Sequence, residues 1–158
     1  MATALHNLSE SANAVPSGKG KKIAIAVSRW NSEITDALLQ GAVDELKKNA
    51  VLEQDITVET VPGCFELAFA ANYLIKRKNP SAVICLGCVI RGETPHFDYV
   101  CQAATQGILQ TGLQTEIPVI FGVLTVDTLQ QAQDRAGGKY GNKGVEAAIA
   151  ALEMTKFI

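Results

Sequence analysis

The stretch Ala82-Val83-Ile84-Cys85-Leu86-Gly87-Cys88-Val89-Ile90-Arg91-Gly92-Glu93-Thr94-Pro95-His96 decides the fold. Ala82 to Leu86 is a short apolar run, the mark of a strand buried on both faces, and such strands belong to parallel sheets covered by helices. Within a few residues the character changes to an arginine, a hydroxyl and a histidine. Thr94 is placed to cap a helix and Pro95 to take its first position, where the missing N–H costs nothing. In open parallel sheets, ligands bind beyond the carboxyl ends of the strands. The segment therefore sets an architecture and a place to look for chemistry.

The same alternation continues in both directions. Ile23 to Val27 reads as a first strand, and Asn31 or Ser32 can cap a helix whose Ile34, Leu38, Ala42 and Leu46 recur along one face. Ile56 to Val61 reads as a second strand, stopped by Pro62-Gly63, and Leu67, Ala70, Ala71, Leu74 and Ile75 form the inward face of the next helix. A helix starting at Thr94-Pro95 turns Tyr99, Val100, Ala103, Ala104 and Ile108 inward. Val119 to Leu124 is a fourth strand, and Asp127 or Thr128 can cap a short helix through Arg135. The turn Gly137 to Gly144 leads to a last helix with Val145, Ala148, Ile149 and Leu152 on one face. This order predicts a three-layer α/β domain, a four-stranded parallel sheet flanked by helices.

At 158 residues the chain suits one domain with a sizeable core. Residues 1–20 are rich in Ser, Ala, Asn, Gly and Lys without a sustained period, and read as a flexible N-terminal arm before a domain over residues 21–158. A formal net charge of -2 offers no long-range attraction to nucleic acid or an anionic membrane. No apolar run approaches the roughly 20 residues needed to span a bilayer, and the first residues lack the pattern of a secretory signal, so a cytoplasmic protein is expected.

Cys64, Cys85, Cys88 and Cys101 lie among apolar or helical residues and suit reduced thiols. Cys85 and Cys88 have C-x-x-C spacing, but they sit inside the end of a strand instead of opening a helix, so core thiols are the better account. No second Cys or His pair stands at zinc-ligand spacing.

Familiar cofactor signals are missing from this layout. No G-x-G-x-x-G follows the first strand, which disfavours dinucleotides. In Gly137 to Gly144 no Gly-Lys is followed by Ser or Thr, and the turn follows a helix instead of a strand, which disfavours triphosphate hydrolysis. The G-x-S-x-G nucleophile elbow is also missing.

What remains is a set of polar groups at the carboxyl ends of the strands. Arg29-Trp30-Asn31, Gly63-Cys64-Phe65-Glu66 and Arg91 to His96 follow strands one, two and three and face one edge of the sheet. Trp30 offers a flat surface for stacking a heterocycle. The helix start at Thr94 presents free N–H groups and a positive dipole end suited to phosphate. His96 can accept and donate a proton near neutral pH. Each residue also has a plainer account: His96 as a solvated cap, Trp30 as a plug against the core, Arg135 as complement to a helix dipole, Lys139 and Lys143 as solvated charges.

Taken in order, the motifs resemble those of the 6,7-dimethyl-8-ribityllumazine synthase family from about Lys21 onward. They are Ser28-Arg29-Trp30-Asn31, Val61-Pro62-Gly63-Cys64-Phe65-Glu66, Gly87-Cys88-Val89-Ile90-Arg91-Gly92 with Thr94 and His96, Phe121-Gly122-Val123-Leu124-Thr125, and Gly138-Lys139-Tyr140-Gly141-Asn142-Lys143-Gly144 with Glu146-Ala147-Ala148. The resemblance implies a flavodoxin-like fold and an enzyme of riboflavin biosynthesis. That enzyme condenses 5-amino-6-ribitylaminouracil with 3,4-dihydroxy-2-butanone 4-phosphate, releases phosphate and water, and requires no metal or organic cofactor. By the same resemblance His96 is the acid-base group, and Trp30 stacks on the pyrimidine. Asn31, Cys64, Phe65, Glu66, Cys88, Val89 and Ile90 line the uracil and ribityl pocket. Thr94, the backbone at Glu93, and Arg135 bind the phosphate, and Arg91 becomes structural.

The resemblance further implies a homo-pentamer in which Phe121, Arg135 and Lys143 reach a neighbour's pocket. The short turn through Gly137 to Gly144 resembles members that build 60-subunit shells, and riboflavin synthase is the expected consumer of the product. Trp30, Cys64, Cys88 and Pro95 depart from the family's commonest pattern. Two other readings are a flavodoxin-like carrier, which would need a Ser/Thr-rich phosphate loop after strand one, and a non-catalytic flavin-binding shell protein of the same fold.

Overall fold

The computed structural model describes residues 15–158. Strands β1 (Ile23–Ser28), β2 (Ile56–Val61), β3 (Ala82–Ile90) and β4 (Val119–Val126) form one sheet in the order β2-β1-β3-β4, parallel throughout. Helices α1 (Ser32–Lys48), α2 (Leu67–Lys78) and α3 (His96–Thr115) make the crossovers. After β4 come the short α4 (Leu129–Gln133), a hairpin of β5 (Ala136–Gly138) and β6 (Gly141–Asn142), and α5 (Lys143–Met154). The strand order reverses between β1 and β3, the kind of switch point that opens a crevice at the carboxyl ends.

Residue size sorts the two faces. In β1, Ile23, Ile25 and Val27 pack with Ile34 and Leu38 of α1 and Ala148 and Leu152 of α5. Ala24 and Ala26 face the other way, among Leu67 and Leu74 of α2 and Ala104 and Ile108 of α3. Burying each large aliphatic chain of this kind contributes roughly 1.5–3 kcal/mol. Gly144 brings α5 onto α1, because a Cβ there would run into the Leu38 backbone carbonyl. The result is the expected three-layer, flavodoxin-like arrangement.

Several boundaries differ from expectation. β3 runs four residues past Leu86, because β4 also runs past Leu124 and keeps pairing it through Ile90 opposite Val126. α3 begins at His96 with Pro95 as its cap residue, and Thr94 makes no capping hydrogen bond. The turn closes through Asp98 N–H donating to the Pro95 carbonyl at 3.0 Å. Tyr99, expected inward, is 70% exposed. The buried stripe of α3 runs instead through Ala104, Ile108 and Thr111, and Tyr99 lies off it. The turn at Gly137 contains the β5–β6 hairpin, with Gly137 at φ 108 and Gly141 at φ 79, values that a side chain would strain.

The expected arm lies largely outside the described residues. Of residues 15–20, which carry no helix or strand, Val15 packs on the core and Gly18 N–H donates to the Asn49 carbonyl at 2.7 Å. No helix among the described residues is long and apolar enough to cross a membrane.

Candidate active site

A cavity of about 560 Å³ opens beyond the carboxyl ends of β1, β2 and β3. Trp30 comes from the β1 loop, and Cys64, Phe65 and Glu66 from a 3-10 turn after β2. Cys88, Val89 and Ile90 come from the extension of β3, and Thr94, His96 and Phe97 from the start of α3. The extra length of β3 therefore builds the cavity wall. Trp30 is 73% exposed and Phe65 63%, so two aromatic rings stand uncovered at the site.

Local hydrogen bonds fix these loops. Asn31 holds a left-handed backbone (φ 61, ψ 48) without capping α1 by its side chain. Its Nδ2 instead donates to the Cys88 carbonyl at 3.0 Å, tying the Trp30 loop to β3. Glu66 Oε2 accepts from Gly63 N–H at 3.0 Å, which closes the 3-10 turn. Burial pushes the Cys64 thiol above its ordinary value, although a contact with Ser28 Oγ at 3.7 Å opposes this. Burial pushes Cys88 up to about 12 as well. Neither is a thiolate near neutral pH, so both act as apolar wall. Cys85 and Cys88 pack in the clusters on opposite faces of the sheet, which removes the basis for a C-x-x-C redox pair.

His96 and Thr94 are exposed, and among the described residues neither makes a side-chain hydrogen bond within the chain. Their functional atoms are free for a ligand. The first turn of α3 adds unpaired N–H groups at the positive end of a 20-residue helix, an arrangement that favours a phosphate. Arg91 does not point a free guanidinium at this seat. Its Nε donates to Asp127 at 2.9 Å, its Nη1 to Asp98 at 3.3 Å, and its face lies 4.1 Å from the Phe97 ring centre.

Not every sequence-derived residue reaches this cavity. Asn31 stands behind it, and Glu93 does not line it. Phe121, in mid-β4, packs against the α2–α3 side of the core. Arg135 and Lys143 line a separate depression of about 260 Å³ beside Thr125 and Gln131. There Arg135 Nη1 donates to the Gln131 carbonyl at 3.0 Å and its guanidinium stacks on Tyr140. Lys143 Nζ lies 3.1 Å from Oε2 of Glu146. The sequence reading gave Glu146 no role of its own, yet it is the only charged residue of α5 between Lys143 and Glu153, in a helix otherwise made of small and apolar residues. That isolation was the available signal.

Fold and site together define a protein of the layered α/β class, with an apolar, aromatic-flanked pocket beside the start of a long helix. Residues 20–158 match the model of the 6,7-dimethyl-8-ribityllumazine synthase family. A Porphyromonas gingivalis protein named 6,7-dimethyl-8-ribityllumazine synthase is 54% identical over 155 residues, covering 98% of this chain and 96% of that one. Proteins of the same name from Parabacteroides distasonis and Phocaeicola vulgatus are 54% and 52% identical, each covering 99% of this chain and 99% and 94% of their own length. The chain belongs to the 6,7-dimethyl-8-ribityllumazine synthase family.

Proposed function

We propose that this protein condenses 5-amino-6-ribitylaminouracil with 3,4-dihydroxy-2-butanone 4-phosphate to 6,7-dimethyl-8-ribityllumazine in riboflavin biosynthesis. The observation that carries the reading is the meeting of Trp30, from the β1 loop, with Thr94 and His96, from the start of α3, around one cavity. The pyrimidine stacks on Trp30, with Cys64, Phe65, Glu66, Cys88, Val89 and Ile90 as pocket wall. The phosphate of the ketone sits at the first turn of α3, against Thr94 and the backbone at Glu93.

The uracil amine attacks the ketone carbonyl and water leaves to give an imine. Elimination then expels phosphate, and attack by the ribitylamino nitrogen on the remaining carbonyl closes the ring with loss of a second water. His96 carries protons in these steps. Holding amine and ketone together supplies much of the acceleration, because it removes the entropy cost of a bimolecular encounter. The chemistry needs no redox change and no metal.

The site is completed by a neighbouring subunit in a homo-pentamer, and sixty such chains form a shell. The support is that Arg135 and Lys143 open onto a depression apart from their own chain's cavity. Phe69, Leu109 and Leu113 are also exposed on α2 and α3, and α3 carries no charge from Tyr99 to Thr115. Such faces mark contacts between chains. Riboflavin synthase consumes the product, and the protein works in the cytoplasm, where its four free thiols stay reduced.

Mixing the purified protein with both substrates tests the reaction: lumazine absorbance and free phosphate should rise together. Release of neither would end this reading. Sedimentation tests the assembly, and a particle no larger than a pentamer would remove the shell.

A further inference from the structure

Arg91 begins the polar stretch that follows β3, and its guanidinium is engaged by Asp127 and Asp98 instead of facing the start of α3 as a free cation. We propose that it is a positioning residue, a guanidinium clamp that sets where the first turn of α3 aims its N–H groups and His96. The inference rests on the proposed reading of the cavity and deepens it.

Three contacts converge on one side chain. Nε reaches Asp127 beyond β4, Nη1 reaches Asp98 in the first turn of α3, and the planar face covers Phe97, whose ring lines the cavity. The Arg91 backbone N–H donates to the Val126 carbonyl at 2.9 Å, so the clamp starts from the last rung of the sheet. The anchor is itself held, because Asp127 N–H donates to Gln131 Oε1 at 2.9 Å.

Little else restrains this loop. A Cβ at Gly92 would meet nothing within 4 Å, and residues 91–96 are exposed. Among the described residues, Arg91 to Asp127 is the one side-chain hydrogen bond that joins residues 91–98 to another element. The Arg91 side chain is 46% exposed in both ion pairs, and pairs so solvated contribute little to global stability. Their effect is geometric. Two carboxylates and a ring around one planar fork suit arginine, and a lysine cannot hold all three.

Steady-state kinetics on the full chain, with both substrates varied, test the clamp through Arg91→Ala, Arg91→Lys and Asp127→Asn. In Arg91→Ala the KM for the phosphorylated ketone should rise about tenfold, the scale expected when one hydrogen bond to a charged group is lost. The KM for the uracil should stay unchanged, as should the thermal midpoint and the sedimentation profile. Arg91→Lys should recover only part of the loss. The double variant Arg91→Ala/Asp127→Asn should be no worse than Arg91→Ala, because the two groups act as one unit. Equal changes in both constants, no change, additive losses or loss of assembly would each overturn the clamp.

Inorganic phosphate binding, measured by calorimetry, separates this inference from the reading it rests on. Weaker phosphate binding in Arg91→Ala, in a wild-type protein that forms no lumazine, would uphold the clamp and defeat the reaction. Unchanged phosphate binding, in a wild-type protein that does form lumazine, would defeat the clamp alone.

Discussion

Lys143 and Glu146 form an ion pair at 3.1 Å in which the carboxylate is 2% exposed and the lysine side chain 19%. The two ends are therefore not equivalent. Removing Lys143 strands a charge in the core, whereas removing Glu146 leaves a lysine that can reach the depression beside Arg135. Lys143→Met should cost about 3 kcal/mol, the scale for breaking a buried pair, and Glu146→Gln closer to about 1 kcal/mol. Urea denaturation of the two variants checks the order, and a larger loss for Glu146→Gln would contradict it.

Asn31 serves through its backbone and its amide at once. Replacement by alanine keeps a Cβ in the left-handed region without the amide that lets asparagine tolerate it, and loses the bond to the Cys88 carbonyl, worth about 1 kcal/mol. Replacement by glycine loses the same bond but removes the Cβ, relieving roughly 1–2 kcal/mol of left-handed strain. Asn31→Gly should thus be the milder change in a thermal melt, and equal midpoints for the two variants would show that the φ of 61 carries no strain.

The layers were legible because each helix had to bury one face and the inner strands both, and the four-residue spacing of Ile34, Leu38, Ala42 and Leu46 leaves no other choice. Strand ends were less legible. Val89 and Ile90 pair with Thr125 and Val126, residues some 36 positions away, so only the register with β4 shows that β3 continues. Tyr99 went astray because an apolar ring beside a buried stripe looks the same in one dimension as a ring on it. The cavity wall could be read from loops that follow strands. Glu146 stood out only as a lone charge in an apolar helix; that it is buried against Lys143 depends on how closely α5 lies on the sheet and α1.

His96 and Arg135 should fail differently. If His96 only assists proton transfer while proximity supplies most of the acceleration, His96→Ala should lower kcat by about tenfold, less than the 10²-fold or more typical of a dominant acid-base group. Arg135→Ala should chiefly raise the KM for the phosphorylated ketone. Steady-state kinetics on both variants decide this. An unchanged KM for the ketone in Arg135→Ala would remove Arg135 from the phosphate site.

The buried thiols give the protein a pH dependence of definite sign. Burial raises the Cys85 thiol from 9.0 to about 12, and Cys88 likewise. Between those values the unfolded chain releases protons that the folded chain keeps, so alkali favours unfolding. Stability from these groups is fully present below pH 9 and is lost as pH rises toward 12. In Cys85→Ala the midpoint at neutral pH should fall, since a filled core site loses its sulfur. The decline of stability above pH 9 should nevertheless be shallower than in the wild type, because one of the linked protons is gone. Urea midpoints at a series of pH values measure both effects in one experiment. Parallel declines for the two proteins would mean that the Cys85 thiol ionises in the folded state as readily as in the unfolded one.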